Sequence, residues 1–282
     1  MNTKISGFLL AGAIIVSAGS FAQTKQFTIA EATNGMGTTL ATKGVKGASW
    51  QPGTHNFWQV EKAEGKDAWT VADHAAGSAS VVAAIETDGP KGKEYITPAI
   101  KWLDKNNAWF QKDKDVVLAT LGTNMSWTTA KMATLPEKAE NIKVDKSRKI
   151  AYTIDNNLWL WTKEKGKVAV TRERNKNVVC GQSVHRDEFG IDGGIFFSPK
   201  GNYLAYYRMD QTMVKDYPIV KWNETPATVD LIKYPMAGGT SHEVTLCVYN
   251  PKTGKSVTMR TGTPKDHYLT CVTWSPDEKH IY

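Results

Sequence analysis

An all-β chain built from a recurring hairpin is what this sequence predicts, and three observations predict it. The 282 residues include ten Trp, ten Tyr, eight Phe and 23 Gly, with many Thr and Val, a bias towards pleated strands and tight turns. One strand-turn-strand pattern recurs along the chain. Only residues 64 to 84 and 128 to 140 read as short helices, so helical packing cannot supply the core.

The recurring pattern is an aromatic or apolar strand end, one polar residue, Pro, a turn, and a new apolar strand. It is present as Ser49-Trp50-Gln51-Pro52-Gly53-Thr54-His55-Asn56-Phe57-Trp58. It returns as Ile195-Phe196-Phe197-Ser198-Pro199-Lys200-Gly201-Asn202-Tyr203-Leu204, and again as Val272-Thr273-Trp274-Ser275-Pro276 running on to Ile281-Tyr282. Val144 to Tyr152 is a degenerate copy that lacks Pro. Repetition of one aromatic-plus-turn hairpin in an all-β chain is the mark of propeller blades. The intervals from Tyr152 to Tyr206 and from Leu204 to Ile281 exceed a blade, so they hold insertions or unmarked blades.

The elements follow in order. Lys4, the apolar run Ile5 to Ala18 and the small-x-small triplet Ser20-Phe21-Ala22 form a secretory leader cut before Gln23. Export to the periplasm or medium is expected, and no Cys at the cut argues against a lipoprotein. The mature chain, 23 to 282, contains no segment near the ~20 apolar residues of a membrane span. Val116 to Leu121 and Ser126 to Thr129 are β-rich. Ile150 to Ile154 and Leu158 to Trp161 make a hairpin around Asp155-Asn156-Asn157, and Thr245 to Tyr249 with Ser256 to Met259 make another around Asn250-Pro251. Tyr282 falls just as a new strand begins, which reads as a truncated domain with an open edge.

Charge and cysteines narrow the function classes. The formal net charge is +7, but the lysines are scattered among acids rather than gathered in a stripe, so a nucleic-acid partner is not expected. Cys180, Cys247 and Cys271 match no zinc spacing and lie in apolar or β-like runs, which favours buried thiols. A Cys247–Cys271 disulfide remains open.

The stretch Gly181 to Asp210 carries the most information about function. Its second half is hairpin scaffold. Its first half packs His185, Arg186, Asp187 and Glu188 before Phe189-Gly190, too charged for a buried strand and too short for a free helix. It reads as a loop or single helical turn on a β scaffold, where binding residues concentrate. His185 and Glu188 could meet on one turn, yet two ligands do not make a metal site. The histidines His55, His74, His242, His267 and His280 read as surface or capping residues. No G-x-S-x-G elbow, phosphate loop or H-E-x-x-H helix occurs, and neither a cofactor nor a metal is expected.

Gln182-Ser-Val-His-Arg-Asp-Glu-Phe-Gly190, Phe197-Ser-Pro-Lys-Gly201, Leu204-Ala-Tyr-Tyr-Arg-Met-Asp210 and Met213-Val-Lys-Asp-Tyr-Pro218 resemble the β-propeller of dipeptidyl peptidase IV and of bacterial prolyl tripeptidyl peptidases. Tyr234-Pro-Met-Ala-Gly238, His267-Tyr-Leu-Thr270 and Val272-Thr-Trp-Ser-Pro276 extend the likeness. It is good from about residue 140 onward and loose before it.

The resemblance implies an eight-bladed propeller followed by an α/β-hydrolase domain with Ser, Asp and His. This chain corresponds to about the first half of that propeller, an incomplete β-propeller inert by itself. It implies peptide substrates with a free N-terminus, cleaved two or three residues in, after Pro, and a homodimer of the full-length enzyme. The family's α-amino anchor falls on Glu188, with Asp187 beside it where the animal enzymes have a second glutamate. Their substrate-binding arginine from an earlier blade has no match here.

Two other classes stand beside this one. A secreted propeller without a hydrolase would be a binding module, distinguished by the absence of a downstream G-x-S-x-G segment. A carbohydrate-binding protein would use Trp159 and Trp161, which their alternation with Leu158 and Leu160 explains better as strand core.

Overall fold

The computed structural model describes residues 26–42 and 44–282, in two units, one up to Gly44 and one from Val45 to Tyr282. The leader and its cleavage site lie outside the described residues. In the first unit, helix α1 (Ile29–Thr33) starts at a capping box. The Thr28 hydroxyl accepts from the Glu31 amide at 3.2 Å, and the Glu31 carboxylate accepts from the Thr28 amide at 3.0 Å.

The second unit is a succession of antiparallel sheets, each a meander. The first contains β1 (Ser49–Trp50), β2 (Asn56–Ala63), β3 (Lys66–Asp73) and β4 (Ser78–Val82) in that spatial order. A separate ribbon of β5 (Ile85–Gly89) and β6 (Gly92–Ile96) follows. The second sheet is β7 (Lys101–Trp102), β8 (Asn107–Lys112), β9 (Asp115–Leu121) and β10 (Trp127–Thr134). The third is β11 (Glu140–Val144), β12 (Ile150–Ile154), β13 (Asn157–Thr162) and β14 (Gly166–Ala169). The fourth is β15 (Val178–Cys180), β16 (Ile195–Phe197), β17 (Leu204–Asp210), β20 (Glu243–Asn250) and β21 (Lys255–Thr258). The ribbon β18 (Asp216–Lys221) and β19 (Thr228–Lys233) is inserted before β20, which accounts for the long interval after Leu204. A bridge between Trp274 and Ile281 opens a further hairpin. The described sheets do not close on themselves, and the architecture is an incomplete β-propeller.

The sheets stack face to face, and the core lies between them. Trp58, Trp69, Phe110 and Leu121 join the first sheet to the second. Trp109, Leu118, Ile150 and Tyr152 join the second to the third, and Leu158, Leu160, Cys180, Leu204 and Tyr249 the third to the fourth. Strand β13, Asn-Leu-Trp-Leu-Trp-Thr, shows why. Leu158, Leu160 and Thr162 are buried while the residues between them are half-buried, the period-two pattern of a strand covered more heavily on one face. Trp159 and Trp161 pack beside the neighbouring core, with the Lys167 ammonium 4.0 Å from the Trp159 ring centre.

Two expectations from the sequence are corrected. Residues 64 to 84 and 128 to 140 hold strands, not helices. Glu64 and Gly65, both at positive φ, reverse β2 into β3, and β10 pairs along β9 from Trp127↔Leu121 to Thr134↔Asp115. All three thiols are free, but only Cys180 and Cys247 are buried; Cys271 is exposed. Among the described residues no helix is long and apolar enough to cross a membrane.

The recurring turns share a cross-hairpin bond, which spans five residues in the Pro-containing copies and four in the Asp145 copy. In each copy the polar residue before the turn donates its amide across the hairpin: Gln51 to Asn56, Asp145 to Lys149, Ser198 to Tyr203 and Ser275 to His280, at 2.9 to 3.0 Å. The residue three further on closes the turn, and in three of these copies it has a positive φ: Arg148 (66°), Gly201 (70°) and Glu278 (63°). Leu103 donates to Asn107 in the same way, so the second sheet carries a fifth copy that the sequence did not announce.

Candidate functional site

The charged stretch from Gln182 to Gly193 leaves the fourth sheet at one point. β15 pairs with β17 through Cys180↔Arg208, and β16 resumes the same edge at Ile195↔Tyr206. Tyr207, between them, holds both ends of the excursion. Its carbonyl accepts from Gly181 at 2.9 Å, and its amide donates to Gly194 at 3.1 Å. The first strand of the sheet is thus split in two and the intervening residues are extruded as a bulge.

Glycine makes the pinch possible. Gly181 has φ 75°, and a Cβ on Gly194 would lie 2.0 Å from the Gln182 carbonyl oxygen. At the far side the Ser183 hydroxyl donates to the Ile191 carbonyl at 2.6 Å.

Within the excursion, His185–Gly190 forms a short 3₁₀-like segment broken by left-handed residues, with His185, Arg186, Asp187 and Phe189 at φ 53°, 57°, 61° and 54°. His185 is buried, and its Nδ1 lies 3.0 Å from Nε2 of the buried His242. Burial first, and the neighbouring His242 second, pull the His185 imidazole down to about 4. His242 is also lowered, by burial and then by Arg186. The rings therefore sit neutral at pH 7, one donating and the other accepting. The Arg186 guanidinium stacks 5.2 Å from the Tyr234 ring centre.

Asp187 and Glu188, the two acids singled out in the sequence, are both exposed but face different surroundings. Asp187 lines a cavity of about 220 Å³ with Ser183, His185, Gln211, Lys233 and His242. The Glu188 carboxylate accepts through Oε2 from the Tyr268 hydroxyl at 2.6 Å. That hydrogen bond, followed by burial, raises the Tyr268 phenol above its usual range. The sequence also raised His185 and Glu188 as partners on one turn. The structure gives the His185 ring to His242 and the Glu188 carboxylate to the Tyr268 hydroxyl, with the Tyr268 ring packed between them, and no group of three metal-ligating side chains gathers among the described residues.

A second concavity, of about 480 Å³, lies where the first strands of three sheets converge, lined by Lys101, Glu140 to Lys143, Gly181 and Asp192 to Ile195. The excursion and its glycine pinch border it.

The chain was compared with known proteins. The model of the dipeptidyl peptidase IV (DPP IV) N-terminal region matches residues 114–282, from β9 to the final hairpin and including the whole excursion. The chain belongs to the DPP IV N-terminal region family. A solved Bacteroides ovatus protein assigned as a dipeptidyl aminopeptidase IV is 32% identical, with TM-score 0.65 over 85% of this chain and 33% of its own. Porphyromonas gingivalis dipeptidyl peptidase 4, at 16% identity and TM-score 0.64, shares the fold over 91% of this chain and 38% of its own. Dipeptidyl aminopeptidase B of Saccharomyces cerevisiae is 33% identical over 140 residues, which is 45% of this chain and 17% of the yeast protein. This DPP IV-family chain spans at most about a third of the curated relatives it matches.

Tyr268 and His242 are what sequence reasoning did not connect to the site. They stand 80 and 57 residues from their partners, and neither carried a motif that pointed to the loop.

Proposed function

We propose that this chain is the propeller portion of an exported, proline-specific serine exopeptidase, and that Glu188 receives the free α-amino group of the peptide. The observation that carries the proposal is the placement of Glu188. Its carboxylate stands exposed on a bulge extruded from the first strand of a sheet, within the segment that matches the DPP IV family.

A carboxylate so placed has lone pairs left for an ammonium, and the resulting charge-assisted bond is worth about 1.5 to 3 kcal/mol when partly desolvated. Asp187 is its secondary partner, turned towards the small cavity and supplying negative potential rather than the main contact. In this reading residues 1 to 22 direct export to the periplasm or medium. A Ser-Asp-His hydrolase domain of the same parent protein performs the cleavage after Pro, and the full-length enzyme is a homodimer. The propeller admits the peptide and fixes its N-terminus, so that the register of cleavage is set by the distance from Glu188 to the serine.

In the full-length peptidase, Glu188→Gln lowers kcat/KM on free-amine peptides by about tenfold to a hundredfold, the equivalent of that bond. Labelling of the serine by a fluorophosphonate stays unchanged. Wild-type kcat/KM in the variant would show that Glu188 is not the amine anchor.

A further inference from the structure

We infer that Tyr268 is a positioning residue for Glu188, and that Tyr268, Phe189 and the Glu188 carboxylate together form a half-cage for a primary ammonium. The inference rests on the reading of Glu188 given above and adds what holds its carboxylate and what faces the cation.

The geometry is specific. The Tyr268 hydroxyl occupies Glu188 Oε2 at 2.6 Å, which leaves Oε1 as the atom available to a ligand. The Tyr268 ring is fixed from two sides, edge-on to His185 at 4.1 Å between centres and tilted against Phe189 at 5.2 Å. Yet Tyr268 is 46% exposed and Phe189 73%, so each keeps aromatic surface open to solvent beside the carboxylate. An ammonium near a carboxylate and aromatic faces gains both ionic and cation–π attraction.

The placement is not that of a chance surface contact, because both partners are referenced to one buried residue. Tyr207, whose backbone holds both ends of the Glu188 excursion, also donates its hydroxyl to the Leu269 carbonyl at 2.5 Å, next to Tyr268 in the chain. Glu188 and Tyr268 are therefore fixed relative to each other through a side chain only 1% exposed. An exposed Glu and Tyr without that common anchor would sample many rotamers, and each capture of substrate would have to reorder them.

The test compares wild type, Tyr268→Phe and Glu188→Gln in the full-length peptidase. The substrates are Gly-Pro and Ala-Ala-Pro para-nitroanilides and their des-amino analogues. Tyr268→Phe keeps the ring and its packing, so folding is preserved, and removes only the hydroxyl. Its expected effect is a loss of about tenfold in kcat/KM on the free-amine substrate, carried by KM, with the des-amino analogue unchanged.

An unchanged free-amine to des-amino ratio in Tyr268→Phe, alongside its collapse in Glu188→Gln, would overturn the role of Tyr268 and leave the reading of Glu188 standing. Equal losses on both substrates would make Tyr268 merely structural and overturn it as well. An unchanged ratio in Glu188→Gln would remove the amine anchor itself, and the half-cage with it.

Discussion

Glu278 offers the sharpest test of how successive hairpins are held together. It is only 7% exposed, yet it is a carboxylate at the left-handed position of its turn, φ 63°, where the equivalent residue in the preceding sheet is Gly201. The reason lies in its partners. Its Oε1 accepts from the Ser198 hydroxyl and from the Lys200 amide at 2.7 Å, and its Oε2 accepts from the Asn202 side-chain amide at 2.7 Å. One carboxylate thereby satisfies three donors of the neighbouring turn and latches the two hairpins.

Glu278→Ala leaves the Ser198 hydroxyl, the Lys200 amide and the Asn202 side-chain amide without that acceptor. At about 1 to 3 kcal/mol for the buried Ser198 donor, and less for the Lys200 and Asn202 groups that water can reach, the cost is about 2 to 4 kcal/mol. Glu278→Gln keeps one oxygen and lets the Asn202 amide flip to meet the new NH₂, so it costs about 1 kcal/mol. Hydrogen exchange read at the Lys200 amide is the assay. Alanine should speed it roughly 30-fold to 1,000-fold and glutamine several-fold.

The pH dependence gives a second readout. Burial pushes the Glu278 carboxyl up, but the bonds from Ser198, Asn202 and the Lys200 amide outweigh it and leave the group lowered. A lowered carboxylate stabilises above its unfolded value of about 4.3 and loses that contribution as pH falls through the folded value. The gap between wild type and Glu278→Gln should therefore begin to narrow below about pH 4.3 and close only once the pH has passed below the lowered folded value. Equal exchange rates in Ala, Gln and wild type at pH 7 would refute the latch.

Three further outcomes are expected. The His185 imidazole is lowered to about 4, so the unfolded chain binds more protons below pH 6.5; stability should fall by about 1 to 2 kcal/mol between pH 6.5 and 5, seen in denaturant melts and flattened in His185→Gln. In the native protein one thiol, Cys271, should react with Ellman's reagent while Cys180, pushed up to about 12 by burial, and Cys247 wait for denaturant; three fast thiols would contradict the packing. Secreted material should begin at Gln23 by intact mass, and retention of Met1 would contradict the leader assignment.

The hairpins were legible because their turns need particular chemistry. Pro52, Pro199 and Pro276 preset φ at the turn, and the strands that follow are rich in aromatic and branched residues. The copy at Trp102 to Trp109 is less legible, having neither Pro nor a polar residue directly after its first aromatic. Its turn is made by the Asp104 carboxylate, which accepts from the amides of Asn106 at 2.8 Å and Asn107 at 2.9 Å, and an Asp followed two and three residues later by Asn was the available signal.

The false helices each included an outer strand, β4 after the inner strand β3 in one case and β10 in the other. β4 is exposed at Ser78 to Val81, and β10 is exposed at Thr128 to Lys131, so neither displays the alternation of a half-buried strand. Pairing with β3 and β9 overrode the local bias of Ala, Lys and Glu. At the site, Asp187 and Glu188 stood out by their charge, whereas Tyr268 and His242 are joined to the loop only by tertiary packing.

The conformation of the excursion is itself an argument about function. His185, Arg186 and Asp187 are three successive non-glycine residues in the left-handed region, with Phe189 a fourth. At about 1 to 2 kcal/mol each, they store roughly 4 to 8 kcal/mol that an ordinary connection would relax by adopting another turn. The strain persists because the surroundings over-determine the loop. Tyr207 clamps both ends, the Ser183–Ile191 bond closes the neck, the buried His185–His242 pair anchors the floor, and Tyr268 grips Glu188 at the tip. A surface loop with no task would gain stability by losing any of these constraints along with the strain they enforce. Their joint effect is to hold one carboxylate, one hydroxyl and two aromatic rings in a fixed arrangement at the surface. Such pre-organisation lowers the ordering cost of capturing a charged ligand, and strained segments cluster where that is needed.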